Sequence, residues 1–468
     1  MKKLLSLIAI LSASALIFGA CGGANNDSSI GDSSYAPDTG DYDADMSGGY
    51  PSGTPKPGGS FGDGGYGGSG DYESDGRLDG DSGATTPDHS EPSEPGSGGS
   101  SGSNQRPIVK QLTAAEWCDA HNYDFWLGLF EKNIPFKGQD GVEIKKDGIF
   151  AEYAKATRGL ETFNMHEVYV TCGEQPVTGA KVTLFSESDV VYSAVTDSTG
   201  TAYVFGKGTY IEAESGQYSA SSQICEGVTE ISLDNYSAYD DEIEIMFVVD
   251  TTGSMGDELR FLCRELEGIV RRVSSSLTCN IRLGLLFYRD IGDEYVTRKF
   301  DFADVSSAGG LATVIKNINA QTSSGGGDFP EAVDTALNEA VNANWHTNSK
   351  TKLLFHILDA PYHDKQTNQS VFANAVKGAS EKGIRIIPVA ASGLDTLGQY
   401  IMRSASLLTG GTYTFLTDDS GIGNRHTLPA VGAFTVEYLS DLMVRLIKGY
   451  YTGQFEEPVL WYESESVL

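Results

Sequence analysis

Residues 247–255 read FVVDTTGSM. The apolar run 246–249 leads straight into Asp250, and Thr252 and Ser254 follow at alternate positions across Gly253. Four apolar residues in a row fit a strand buried on both faces. A carboxylate at the end of such a strand has three physical readings. It caps a following helix, accepts a phosphoryl group, or helps to hold a metal ion.

The chain downstream repeats the same rhythm. Strand-like IEIMFVV (243–249) precedes a helical pattern near 256–274. IRLGLLFY (281–288) and an edge-like VTRKFDF (296–302) follow, then helical patterns near 309–319 and 330–345. KLLFHIL (352–358), a helix near 366–382, IRIIPVA (384–390), a helix near 395–408 and TYTFL (412–416) come next, and a last helix near 434–450 closes the unit. This alternation predicts an α/β fold, a Rossmann-like doubly wound, mostly parallel sheet with helices on both faces. Such sheets bind ligands beyond the carboxyl ends of their strands, where strand order reverses.

Acidic residues mark those ends. Asp290 closes FYRD, Asp328 lies in SSGGGDFPE (323–331), and Asp359 follows a buried strand in ILDAPYHD (357–364). A hard cation takes oxygen ligands, and Mg²⁺ keeps some of its water. In a tight turn Asp250, Thr252 and Ser254 can present oxygens to one side, with Gly253 giving the backbone its freedom. Capping accounts for one residue of this set, not for Asp359 or the GGGD loop. Phosphoryl transfer through Asp250 needs a lysine to steady the phosphate, and Thr251 stands where related aspartate enzymes carry it. No G-x-S-x-G elbow of a serine hydrolase occurs in this βα unit. His356 reads as packing against a helix and His363 as a loop residue.

The three spaced elements resemble the von Willebrand factor A domain and its metal-ion-dependent adhesion site, over about residues 240–452. The family carries Asp-x-Ser/Thr-x-Ser after its first strand, a Thr in a later loop and an Asp after its fourth strand. Asp250, Thr252 and Ser254 match the first element and Asp359 the last. FYRDIGDE, GGGDFPEAV and ILDAPYHD look most like a bacterial and vertebrate-kinase-associated branch. The resemblance implies Mg²⁺ or Mn²⁺ on these residues, completed by an Asp or Glu from a protein partner, and binding rather than catalysis. It also implies a last helix that shifts with occupancy. The chain departs at the loop Thr, where Asp328 takes the role or Thr322 reaches in. The alternatives are a structural surface protein stabilised by its metal, and an aspartate-based phosphotransfer enzyme.

The rest of the chain reads as presentation. Residues 1–20 form a signal peptide: basic start, apolar run 4–18, then two small residues. IFGAC (17–21) resembles the lipobox of bacterial lipoproteins, which implies lipidation of Cys21 and an extracytoplasmic, membrane-anchored location. Residues 22–105 carry fifteen acidic side chains against Lys56 and Arg77 with almost no aliphatic residues, which predicts a disordered linker. Its random-coil span is on the order of 50 Å. Net charge is −31, so neither nucleic acid nor an anionic surface is an expected partner.

Residues 106–160 read as mixed and partly helical, with Thr113 and Glu116 at capping-box spacing. Residues 161–235 alternate in strand fashion, about five short strands, and predict a small β-sandwich. PVTGAKVTLF and AVTDSTGTAYVF resemble the carboxypeptidase-regulatory-like modules. Cys172 and Cys225 each end a strand-like run there and form the expected disulfide; Cys263 reads as a buried small hydrophobe. Residues 453–468 are a tail.

Overall fold

The structure, a computed structural model, describes residues 111–137, 143–256, 258–422, 426–427 and 429–464. The signal, Cys21 and linker expectations lie outside these residues.

The described chain opens with β1 (Thr113–Trp117), α1 (Tyr123–Gly128) and a hairpin of β2 (Ile134–Lys137) and β3 (Glu143–Lys146). The next eight strands are short: β4 (Met165–Cys172), β5 (Gln175–Pro176), β6 (Lys181–Ser186), β7 (Asp189–Val195), β8 (Thr201–Phe205), β9 (Tyr210–Ser215), β10 (Tyr218–Gln223) and β11 (Thr229–Ser232). They build two small sheets, β10-β9-β6-β7 and β11-β4-β5 with β8 on β4. Alternate residues such as Val168 and Val170, and Val182 and Leu184, are fully buried.

The larger part contains β12 (Asp240–Asp250), α2 (Leu259–Ser276), β13 (Asn280–Tyr288), β14 (Thr297–Asp304), α3 (Ala308–Asn319), α4 (Val333–Val341) and β15 (Ser349–Leu358). It continues through α5 (Gln366–Glu381), β16 (Ile384–Ala390), α6 (Thr396–Leu408), β17 (Tyr413–Thr417), β18 (Glu437–Tyr438) and α7 (Leu439–Thr452). The sheet order is β14-β13-β12-β15-β16-β17-β1-β18. Strands β13, β12, β15, β16 and β17 run parallel, and β14 pairs antiparallel at one edge. The chain steps outward from β12 to β13 and returns to β15 on the other side, so strand order reverses between β12 and β15.

Side-chain alternation assigns the faces. Ile243, Ile245, Phe247 and Val249 pack with α2, α3 and α7. Met246 and Val248 join the core of α4, α5 and α6, which continues into the small sheets. The mostly parallel doubly wound architecture is as expected.

Three expectations are corrected. The segment 112–117 forms no helix: β1 lies antiparallel between β17 and β18, with Thr113 opposite Thr417. Leu112 and Ala114 enter one core and Ala115 the other, so no capping box exists. The last helix starts at Leu439, because Glu437 and Tyr438 pair with β1 first. Cys172 and Cys225 are free thiols. The backbone N–H of Cys225 donates to Thr229 Oγ1, and Thr229 pairs with Val168. Cys172 lies four residues farther along β4, roughly 13 Å away at strand rise and out of disulfide reach.

Candidate metal centre

Asp250 ends β12 with its side chain fully buried. Its Oδ1 accepts from the backbone N–H of Thr252 at 2.8 Å and from Thr252 Oγ1 at 2.7 Å. Ser254, exposed, places its Oγ 3.1 Å from Thr252 Oγ1. Thr251 points away, donating its hydroxyl to the Tyr288 carbonyl at 2.8 Å. The turn therefore sorts its hydroxyls: Thr252 and Ser254 to one side, Thr251 into the neighbouring strand. Short-range hydrogen bonding of Asp and Thr to the local backbone produces this arrangement.

Loop 322–331 closes the opposite wall. The Gly253 N–H donates to the Gly325 carbonyl at 3.0 Å, and the Ser324 N–H to the Thr251 carbonyl at 3.1 Å. Asp293 Oδ2 accepts from the Gly326 and Asp290 N–H groups, at 2.9 and 3.1 Å. Gly325 and Gly326 have φ of +82° and +75°, a region glycine enters without steric cost. A Cβ on Gly326 would lie 2.7 Å from Glu331 Oε1 and 3.1 Å from Thr252 Cβ. The glycine run thus lets this loop lie directly against the turn.

Asp359 follows β15, the neighbour of β12, and is 5 % exposed. Glu331 is 2 % exposed, its N–H held by the Pro361 carbonyl at 2.9 Å. Among the described residues Asp250 Oδ2 and Glu331 Oε2 are both buried without a well-formed hydrogen bond, and the Tyr288 hydroxyl lies close enough to Asp250 to favour its ionised form. Burial, then the charge of Asp359, pushes the Asp250 carboxyl upward. Burial, followed by Asp250, Asp290, Asp359 and Asp293, pushes Glu331 up to about 9. Arg289, next to Asp290 in sequence, gives no relief. Arg289 donates to the Thr322 carbonyl at 2.8 Å, meets Glu294 at 3.3 Å and lies over the Tyr295 ring at 4.5 Å.

The structure brings Asp250, Thr252, Ser254 and Asp359 to the same end of the sheet, with Glu331 buried near them. Asp328 is not with them. Its side chain is 65 % exposed and faces His363, 3.9 Å away. Thr322 is exposed as well, with its carbonyl held by Arg289. After the two left-handed glycines and Pro330, it is Glu331 that turns inward. Glu331 was missed because it reads as the first turn of an apolar helix. The available signal was an acidic residue beside Pro330, just before the buried Ala332 and Val333. His356 is a core residue, edge-to-face with Tyr288 at 5.6 Å, and burial lowers its pKa to about 3.

Residues 244–396 match the family model described as von Willebrand factor A domain, so the chain contains such a domain. A putative ariadne-like RING finger protein of Acanthamoeba polyphaga mimivirus is 31% identical over 134 residues, 29% of this chain. The chain spans 12% of the length of that curated relative. Among solved structures, the pilus adhesin SpaC of Lactobacillus rhamnosus GG in its open conformation aligns at 9% identity and TM-score 0.32, over 52% of this chain and 32% of the adhesin. The conserved hypothetical protein BatB of Bacteroides thetaiotaomicron aligns at 13% identity and TM-score 0.27, over 40% of this chain and 91% of its own.

Proposed function

We propose that this protein captures a protein partner at the cell surface through a divalent cation held by its A domain. The observation that carries the reading is the pair of buried carboxylate oxygens, Asp250 Oδ2 and Glu331 Oε2, that lack a hydrogen bond, and among the described residues no lysine or arginine forms an ion pair with either residue. A buried polar atom is normally satisfied, and a bound ion is one way to satisfy it. Asp250, Thr252, Ser254, Glu331 and Asp359 would hold the ion. Their all-oxygen chemistry fits Mg²⁺ or Mn²⁺. When bound, the ion offers an open position to an Asp or Glu carboxylate of the partner. The work is binding, not turnover.

The chain supports a matching location. The apolar run 4–18 before Cys21 fits a lipidated, extracytoplasmic anchor, and the acidic stretch 22–105 fits a tether from the membrane. Among the described residues no helix is long and apolar enough to cross a membrane. A second reading has its own observation. Three carboxylates exceed the charge of one divalent ion, which favours an ion that ties β12 to loop 322–331 as a structural clasp.

Calorimetric titration of Mg²⁺ and Mn²⁺ into the metal-stripped full chain tests the proposal, beside Asp250→Ala. Saturable binding lost in the variant supports it. No heat from the native chain overturns it. Partner capture that is insensitive to chelator, with metal binding intact, would favour the clasp.

A further inference from the structure

We propose that a cleft at the amino end of the parallel sheet is an anion site, taking the carboxylate or phosphate group of a small ligand. The cleft measures about 590 Å³, within the roughly 300–1,000 Å³ usual for small-molecule sites. Thr178 and Ser215 line it from the small-sheet part, and Lys350, Lys352, Lys382 and Arg385 line it from the A domain. Lys350 and Lys352 lie on β15, Lys382 follows α5, and Arg385 lies on β16. Four cations thus share one cleft in a chain of net charge −31.

Two of these cations are buried and lack a counterion. Among the described residues the buried lysines and arginines are Arg289, Lys352, Arg385, Arg403 and Arg445. Arg289 meets Glu294, Arg403 meets Asp119 and Arg445 meets Glu437. Lys352 and Arg385, each 8 % exposed, form no ion pair with a described carboxylate. Lys352 Nζ donates to the backbone carbonyls of Thr347 and Lys382 at 2.9 and 3.1 Å, which leaves an ammonium proton to spare. Arg385 makes one long bond, from Nη2 to the Val195 carbonyl at 3.4 Å, and its Nε is buried without a partner. Taking a charge out of water is costly unless an opposite charge stands against it. The pair therefore calls for an anion that the described chain does not supply.

The carboxylates near this end are engaged elsewhere. Glu244 pairs with Arg282 and accepts from Ser349, and Glu242 accepts from Ser349 and stands 2.7 Å from His346 Nδ1. Glu381 lines the cleft but is exposed. Burial lowers the Lys352 ammonium pKa; Glu244 opposes that, and Arg385 and Lys382 add to it. The cations therefore act on one another across the cleft. A guanidinium with ammonium groups beside it suits a carboxylate or phosphate, because its fork matches the oxygens of either. Lys352 pairs in register with Glu244, near the start of β12, so the cleft is separate from the Asp250 turn at the end of that strand.

The test is calorimetric titration of citrate and, separately, of inorganic phosphate into the metal-stripped full chain at fixed ionic strength. Saturable binding of at least one anion is expected, weakened about tenfold or more in Arg385→Met. Lys382 is exposed, so Lys382→Met keeps the fold and should weaken binding even if Arg385→Met unfolds. Lys316→Met, an equal loss of charge on the exposed side of α3, should bind like the native chain. Citrate binding without phosphate binding assigns a carboxylate ligand, and the reverse assigns a phosphate. No saturable heat from either anion overturns the site. So does an affinity that Lys382→Met leaves unchanged, or one that Lys316→Met weakens as much.

Discussion

Removing the carboxylate of Asp119 should destabilise the whole A domain, although Asp119 lies far outside its βα repeat. Arg403 on α6 is fully buried and donates Nε and Nη2 to Asp119 at 2.9 and 2.6 Å, and Nη1 to the Ala430 carbonyl at 2.7 Å. Trp126, Phe150 and Tyr413 surround the guanidinium, with ring centroids 5.4 to 5.9 Å away. Asp119→Ala would leave this cation caged without its anion, which costs about 3–5 kcal/mol. Over the roughly 350 residues that the structure describes, unfolding entropy near 2.1 cal/mol/K per residue converts this into a fall in Tm of about 4–7 °C. The assay is thermal unfolding followed by far-ultraviolet circular dichroism. The doubly apolar variant Asp119→Leu with Arg403→Met should recover most of the loss, because pairing rather than charge is what the site requires. A midpoint within 1 °C of native for Asp119→Ala would refute the reasoning. So would two separated transitions with the later one unmoved, since β1 would then not belong to the sheet.

Four further outcomes are expected. Mg²⁺ at about a hundred times its Kd should stabilise the native chain by about 2.7 kcal/mol, while Asp250→Asn should be more stable than native without metal and gain nothing from Mg²⁺; an equal gain in both would place the ion elsewhere. His356 is held neutral with its pKa lowered to about 3. Below pH 6.5 the unfolded chain therefore binds a proton that the folded chain refuses, so stability falls with acid by about 1.4 kcal/mol per unit until pH 3; His356→Leu should remove that slope, and identical acid profiles would show otherwise. Gly326→Ala forces a side chain against Glu331 at a positive φ, with a cost of about 1–3 kcal/mol and weakened Mg²⁺ binding by calorimetry; unchanged affinity would remove Glu331 from the site. Cys172→Ser and Cys225→Ser should leave Tm unmoved under oxidising and reducing conditions alike, and a drop only under oxidising conditions would restore the disulfide.

Much of this protein is local enough to read from its order of residues. Strand-like stretches such as 243–249 and 352–358 alternate with helical patterns, and that period defines a parallel sheet wound from its middle. Because a strand's last residue falls at the sheet's carboxyl end, the sequence itself makes Asp250 and Asp359 legible as neighbours. Two features were not legible, for different reasons. Strand β1 pairs with a segment about three hundred residues away, Thr113 opposite Thr417, and TAAEW buries residues on both faces, so it carries no period of its own. The choice of Glu331 over Asp328 depends on the direction the chain takes after two left-handed glycines and a proline. Both carboxylates have the right chemistry, and only the packing of loop 322–331 against the Asp250 turn decides which one is buried with it.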